Sequence, residues 1–599
     1  MEYLTKQLEQ AVNWTRRNRE QVQWGGVGII LVLFIIALPS LLSGGETHPA
    51  TEAPVDSEVL TFMGQVIDKQ GEPLAETEIR VCTTHDEDTV TIHSETQADG
   101  WYRLALPVSS DISAQILSGE ESLCLELERP NFVPVQLLFS IEDWVTQDES
   151  FHILLPTTTL DHRIGAAFWF VTVVFIITMF LIATERVHKT IAALAGAALI
   201  LSVSQVVGLF DPAWRIIDFE GAMHAIDFEV IFLLVGMMIF VGLVEGTGLF
   251  QWVAFTAYRL AGGKPWRLTV ILVLVTAVLS ALLDNVTTIL LMAPITIEIA
   301  LKIGVNPLYI LLPEVLASNF GGAATLVGSP PSILIGTQAD LSFGDFLVNT
   351  GPVAIVALVL LLLYLRWRYS VHYEEAEEID SDALLKRLEE DARITEPQVL
   401  KRGILVGASM VALFLVGPQL EMEPALIALA GAAALLIWVR PDVEKAVQHV
   451  DWTTLLFFMS LFIQVGALEE VGLIAKLAEA IGDLAGNSMV LAILLTLWPA
   501  MIMSAIIDNV PFAAAMIPVA HYLTANVPGA GGGVIYWALV LGASFGGNAT
   551  LVGASANLVA AGIAERAGFR ITYRKFMEFG APIAIVATIL AMGWLLLRY

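Results

Sequence analysis

The sequence predicts an all-α polytopic membrane protein with two inverted repeats of five crossings each. Every repeat carries a re-entrant hairpin and a broken helix, and one N-terminal membrane helix and a small extracytoplasmic β-sandwich precede them. Three observations lead there. Hydrophobic residues make up 56% of the 599 and charged residues only 15%, with a mean hydropathy of +0.71. That is the balance of a chain that crosses a bilayer many times. A pair of motifs occurs twice in the same order: SALLDNVTTILLMAPITI then ASNFGGAATLVGSPPSILIG, and SAIIDNVPFAAAMIPVA then ASFGGNATLVGASANLVAAG. Asp284 and Asp508 are 224 residues apart and Thr325 and Thr550 are 225 apart, which is an internal duplication. Residues 58–157, by contrast, alternate apolar and polar side chains between turn-forming Gly-Glu-Pro and Ala-Asp-Gly, the pattern of short strands.

Taken in order, residues 1–24 are polar and basic, with Lys6, Arg16, Arg17 and Arg19. The apolar run 25–43 follows without a small-residue cleavage site, so it reads as an uncleaved helix with its N-terminus in the cytoplasm. The β-domain over 58–157 resembles the transthyretin-like, carboxypeptidase-regulatory type through its Asp-Gly-Trp-Tyr corner at 99–102. Both cysteines, Cys82 and Cys124, fall in it; outside the cytoplasm they can form a disulfide, and otherwise they are buried thiols.

Apolar segments then run at about 165–184, 189–208, 228–247, 268–300, 307–337 and 351–367, and again at 402–416, 423–439, 453–469, 488–521, 533–562 and 581–597. The runs 268–300 and 488–521 are too long for one crossing and suit two short arms meeting at a tip. If each hairpin enters and leaves on one side, each set makes five crossings, and an odd number inverts the second set. Loop charges agree. Arg186, Lys189, Arg259, Lys264, Arg267, Arg366, Arg368, Lys401, Arg402, Arg440, Lys445, Arg566, Arg570, Arg574 and Lys575 fall in predicted cytoplasmic loops. Predicted outer loops hold Asp211, Asp218, Glu220, Asp340, Asp345, Glu469, Glu470 and Asp483. The domains expected are therefore repeat 1 at 165–367, an acidic cytoplasmic linker at 368–400 with a short helix in it, and repeat 2 at 401–599. The formal charge of −29 lies largely in the polar segments 44–163 and 371–397, and no basic face for nucleic acid is present.

A carboxylate at membrane depth costs about 2.5–3.5 kcal/mol, so it marks a functional site by default. Asp284/Asn285 and Asp508/Asn509 stand at the hairpin tips, where they can cap the returning arms. Capping alone needs no charge, which leaves Na⁺ or proton binding at these four residues, with Thr287 beside them. The runs GGAATLVGS (321–329) and GGNATLVGA (546–554) are expected to unwind the next helix, with Gly321, Gly322, Thr325, Ser329, Gly546, Gly547, Asn548 and Thr550 near freed carbonyls. Tight packing through small residues is the competing account of the glycines. Glu314 and Asn319 precede the first break and Ser555 and Asn557 follow the second; Glu314 is a candidate proton carrier or a structural hydrogen-bonding group. No Lys or Arg lies in either tip or break, and no Lys-Ser/Thr follows the glycines as a phosphate loop requires. Hydrolytic or redox chemistry has no support, so no enzyme and no cofactor is expected beyond Na⁺ or H⁺ as a coupling ion.

At these motifs the chain resembles the ion transporter superfamily, in its arsenite-permease and sodium/proton-antiporter branch, over about 165–597. The resemblance implies a scaffold domain, a transport domain of two hairpins and two broken helices, homodimers and elevator-type movement. Two departures are visible. The family's first break commonly has Asp-Pro-Pro-Asn, where this chain has Ser329-Pro330-Pro331-Ser332; its carboxylate transporters carry Ser-Asn-Thr at both tips, where this chain has Asp-Asn-Val. The expectation is an ion-coupled secondary transporter in a bacterial inner membrane, moving a small ion or anion. A Na⁺/H⁺ antiporter without organic substrate, an anion channel, a di- or tricarboxylate transporter and a ligand sensor are the alternatives.

Overall fold

The computed structural model describes residues 57–69, 71, 73–82, 93–109, 123–139, 145–147, 150–184, 186–262, 264–374 and 394–599. The expected N-terminal helix at 25–43, the segment before it and the linker helix within 375–393 lie outside the described residues. The chain divides into two compact units.

The first unit, built from stretches up to Thr158, is β-structure. Strand β1 (Ser57–Ile67) pairs antiparallel with β4 (Trp101–Ser109) and parallel with β8 (Ser150–Leu154), which carries β7 (Val145–Gln147); β9 (Thr158–Thr159) also pairs with β1. A second sheet has the order β3 (His93–Glu95), β2 (Glu78–Cys82), β5 (Leu123–Glu128), β6 (Val135–Phe139). The period-two pattern explains the burial. Phe62, Val66, Tyr102 and Leu104 on one sheet, and Ile79, Leu125 and Leu127 on the other, are all buried. Gly71 and Gly100 take positive φ in the turns the sequence marks. Cys124 is disulfide-bonded; the side chain of Cys82, its expected partner, lies outside the described residues.

The second unit comprises Ile67–Pro73, Glu128–Pro134 and Thr159–Tyr599. Its first half runs α1 (Ala166–Ala183), α2 (Lys189–Gly208), α3 (Phe219–His224), α4 (Phe228–Glu245), α5 (Leu249–Ala261), α6 (Pro265–Leu282), α7 (Asn285–Lys302), α8 (Leu308–Gly322), α9 (Pro330–Gln338), α10 (Phe343–Asn349) and α11 (Gly351–Glu374). Its second half runs α12 (Pro397–Val416), α13 (Pro424–Val439), α14 (Val443–Gln448), α15 (Trp452–Glu470), α16 (Leu473–Ala485), α17 (Met489–Ile506), α18 (Asn509–Asn526), α19 (Val534–Gly546), α20 (Ser555–Arg566) and α21 (Tyr573–Arg598). Among the described residues ten helices are long and apolar enough to cross a membrane. This is an integral, multi-pass membrane protein.

The halves match down to their caps. Asp218 and Asp442 cap α3 and α14, Asp227 and Asp451 cap α4 and α15, and Asp284 and Asp508 cap α7 and α18. Gly248 and Gly472, left-handed, start α5 and α16. Each pair is 224 residues apart. Packing is reciprocal: α2 lies on α15 as α13 lies on α4, and α7 lies on α20 as α18 lies on α9. Such an exchange is what a pseudo-two-fold axis produces.

Two details differ from the sequence expectation. The hairpin arms α6, α7, α17 and α18 are 18 residues each, about 27 Å long, rather than short. Helices α5 and α16, 13 residues each, stood within loops because they are too short for a crossing.

Within this unit His162 packs on the Phe132 ring, 4.1 Å between centroids, and against Gly472. Burial, then the charges of Arg129 and Lys476, lower its pKa from 6.5 to about 4. The folded form thus holds the neutral ring, and its contribution to stability is present above pH 6.5 and lost as pH falls from there towards 4. The melting temperature of wild type should therefore fall over that window by more than that of a His162→Phe variant.

Candidate functional site

Each arm pair closes at a two-residue tip. After α6 the chain turns extended at Leu283, and Asp284 caps α7: its Oδ1 accepts from the N–H groups of Val286 and Thr287, both at 2.9 Å, and its Oδ2 from the Thr287 hydroxyl. At the second tip Asp508 meets a different neighbourhood. Position 511 is proline, so neither the matching N–H nor a hydroxyl is there, and from its own helix Asp508 accepts only the Val510 N–H, at 3.3 Å. Its Oδ2 instead takes the Ser555 hydroxyl at 2.6 Å, from the first turn of α20, whose N-cap Ala554 offers no side-chain bond. The position matching Ser555 in the first half is Pro330. The two halves have therefore exchanged a hydroxyl and a proline. Asp284 is held within its own hairpin and Asp508 across to the broken helix.

Lys189, the first residue of α2, reaches the second tip. Its Nζ lies 2.8 Å from Ser555 Oγ, 3.7 Å from Asp508 Oδ2 and 5.1 Å from the centre of the Phe457 ring. No Lys or Arg lies in the tip or break sequences, but in space Lys189 stands at the second tip. In the sequence Lys189 stands out only as a loop charge, since its partner Ser555 is 366 residues away.

The breaks sit level with the tips. Thr325 donates to the carbonyl of Ala281 and Thr550 to that of Ala505, just before each tip. The glycines pair backbones here. A Cβ on Gly321 would stand 2.1 Å from the Ala277 carbonyl oxygen, and one on Gly546 2.3 Å from that of Met501. Gly321, Gly322 and Gly546 are still helical; Gly322 faces Gly328 and Gly547 faces Gly553 across their breaks. Close packing therefore accounts for the glycines, and the unwound residues are 323–329 and 547–554.

Between the breaks runs a buried chain of carboxamides. Asn285 donates to Asn319 at 2.9 Å, and Asn319 donates to Asn548 at 2.8 Å and to Asn557 at 3.1 Å. Asn557 donates to the carbonyls of Gly547 and Thr550, at 2.7 and 2.9 Å, and Asn548 to that of Leu316. Asn285 Oδ1 is buried without a partner. Ser329 and Ser332 share a hydrogen bond at 2.8 Å at the start of α9. Asn509 is buried beside Asp508. Glu314 stands apart, fully buried: Oε1 accepts from Thr296 at 2.9 Å and Oε2 has no partner. Among the described residues no His/Cys/Asp/Glu group has the grouping of a metal centre.

Truncating Asn319 to Ala strands Asn285, Asn548 and Asn557 together, and buried unsatisfied groups cost about 1–3 kcal/mol each. The Asn319→Ala protein should melt well below wild type, whereas Ser202→Ala, on an exposed helix face, should not.

Residues 179–542 match the family described as Citrate transporter (CitMHS). The chain belongs to that family. An uncharacterized transporter of Mycobacterium tuberculosis is 42% identical over 71% of this chain and 97% of its own length. The P protein of Homo sapiens is 32% identical over 70% of this chain and 58% of its own length. Among solved structures, the Alcanivorax borkumensis YdaH transporter is similar over 68% of this chain and 98% of its own, at 16% identity and a TM-score of 0.46. The family and the Mycobacterium tuberculosis relative are named as transporters, not enzymes, and the likeness of the tip and break motifs agrees with the family found.

Proposed function

We propose that the chain is an ion-coupled secondary transporter, driven by Na⁺ or H⁺, which moves a small ion or anion by an elevator-type movement and works as a homodimer. One observation carries this reading: the first tip, the helix before the first break, the second break and the helix after it meet on a single buried polar chain, from Asn285 through Asn319 to Asn548 and Asn557. Polar groups at membrane depth are costly unless they are used. The tips abut breaks that fall after α8 and α19, helices of 15 and 13 residues, about 20 Å into each broken crossing. This depth supports re-entrant hairpins, and with the loop charges it supports two inverted repeats whose site lies at the midplane. In this reading Asp284, Asn285, Thr287, Asp508 and Asn509 hold the coupling ion, and Thr325, Thr550, Asn548, Ser555 and Asn557 line the solute position. Glu314 takes a proton. The first residues and the acidic linker face the cytoplasm, and the two sheets form an extracytoplasmic sandwich.

A carboxylate as solute is the second reading. It rests on Lys189 beside Ser555, which adds a cation where none stands in the motifs, and on the family's description. One experiment addresses both: purified protein in liposomes, tested for Na⁺- and pH-driven uptake of a panel of small anions including citrate, with internal pH followed when no anion is supplied. Gradient-driven uptake of one anion supports the transporter, and proton movement without any anion supports plain antiport. No gradient-dependent flux in well-folded protein sinks both.

A further inference from the structure

We infer that Lys189 is a tethered cation which occupies the second tip, so that a free coupling ion reaches Asp508 only by displacing the lysine. The inference deepens the transporter reading and rests on it. The Lys189 ammonium has partners that a cation prefers. Ser555 Oγ is at 2.8 Å, the Asp508 carboxylate at 3.7 Å, and the face of Phe457 lies 5.1 Å away. The carboxylate of Asp451, which caps α15, is within electrostatic reach of the same charge. Asp508 is 4% exposed, with one long bond to its own helix and the Ser555 hydroxyl, so without Lys189 its buried charge would have no counter-charge at hand.

The first tip needs no such partner. Asp284 accepts two N–H groups and a hydroxyl from α7, since Thr287 stands where the second tip has Pro511. The exchange of Thr287 and Pro330 for Pro511 and Ser555 thus leaves Asp508 to take a side-chain partner from outside its hairpin, while Asp284 takes its own from within. Lys189 comes from α2, which packs with α15, whereas Asp508 and Ser555 belong to the tip and the broken helix. The contact joins two sets of helices that an elevator movement would separate. Lys189 therefore also sets when the second tip is free. An ammonium takes no part in filling a free-ion position once withdrawn, so the tip alternates between a bound lysine and a bound ion.

The test uses the native lysine of the full chain in detergent and needs no transport. Reductive methylation by formaldehyde and cyanoborohydride is followed at Lys189 by mass spectrometry at fixed pH, in NaCl, LiCl or KCl against choline chloride at equal ionic strength. The expected result is a several-fold faster modification of Lys189 in the presence of the coupling cation, with other lysines unchanged. The acceleration should persist in Asp284→Asn, where the other tip has no charge, and vanish in Asp508→Asn, where Lys189 is fast in every salt. A Lys189 rate that no cation changes overturns the inference even if liposomes show cation-driven uptake, which leaves the transporter reading intact. Acceleration that disappears in Asp284→Asn overturns it too, because the lysine would then report binding elsewhere. Protection by citrate or another small anion, with no cation effect, overturns it in favour of a substrate ligand. As a second variant, Lys189→Gln should lower the cation concentration for half-maximal uptake several-fold, and an unchanged or raised value contradicts displacement.

Discussion

Asp284→Asn and Asp508→Asn are each expected to lower cation-driven uptake in liposomes by about ten- to a hundredfold, since a charge about 4 Å from an ion is worth between about 1 kcal/mol in water and about 4 kcal/mol at a protein-like dielectric. Their stabilities should diverge. An asparagine at 284 can still accept from Val286 and Thr287, so its melting curve should stay close to wild type. At 508 the same change removes the counter-charge of Lys189 and the strong acceptor of Ser555, so that protein should melt lower, and Lys189→Gln should recover part of the loss. Uptake rates and melting curves of the two single variants and the double variant check this. Full transport by both Asp→Asn variants would reduce the tips to helix caps.

Gly321→Ala and Gly546→Ala should cripple the protein by a steric route. The added methyl would lie 2.1 Å from the Ala277 carbonyl oxygen in one case and 2.3 Å from that of Met501 in the other, and both obstacles are backbone. Overpacking of this kind costs about 1–3 kcal/mol at each site, and the arm must move away from its break. Lower melting temperatures and lost uptake are expected. Gly593→Ala, in α21 with nothing within 4 Å of the new methyl, should instead hold or raise stability, because alanine favours a helix. A Gly321→Ala protein as stable as wild type would mean that tip and break are not locked together.

Much of this was legible in the chain. Asp284 and Asp508 announce the duplication, and the length of the two apolar runs announces hairpins, because a single crossing cannot use over 30 residues. The deeper match of Asp218 with Asp442 and Asp227 with Asp451 was present at the same spacing but is carried by single polar residues in loops, where no motif surrounds them. The partners of the site residues were not legible. Asn319, Asn548 and Asn557 meet because two halves fold onto each other, and Lys189 meets Ser555 across 366 residues. The glycines misled for a related reason. As helix breakers they predicted unwinding from 321 and 546, but Gly321 and Gly546 pack closely on α6 and α17, Gly321, Gly322 and Gly546 stay helical, and the chain unwinds only after them.

The most direct test of ion coupling is reversal of the driving gradient. Liposomes are loaded with a transported anion at equal concentration on both sides, and the Na⁺ or proton gradient is imposed first inward and then outward, with the membrane potential clamped. Net anion movement that changes sign with the ion gradient is the predicted result, and it should be lost in Asp284→Asn. Anion movement that stays at zero under both gradients, while tracer exchange is fast, would contradict ion coupling at the hairpin tips.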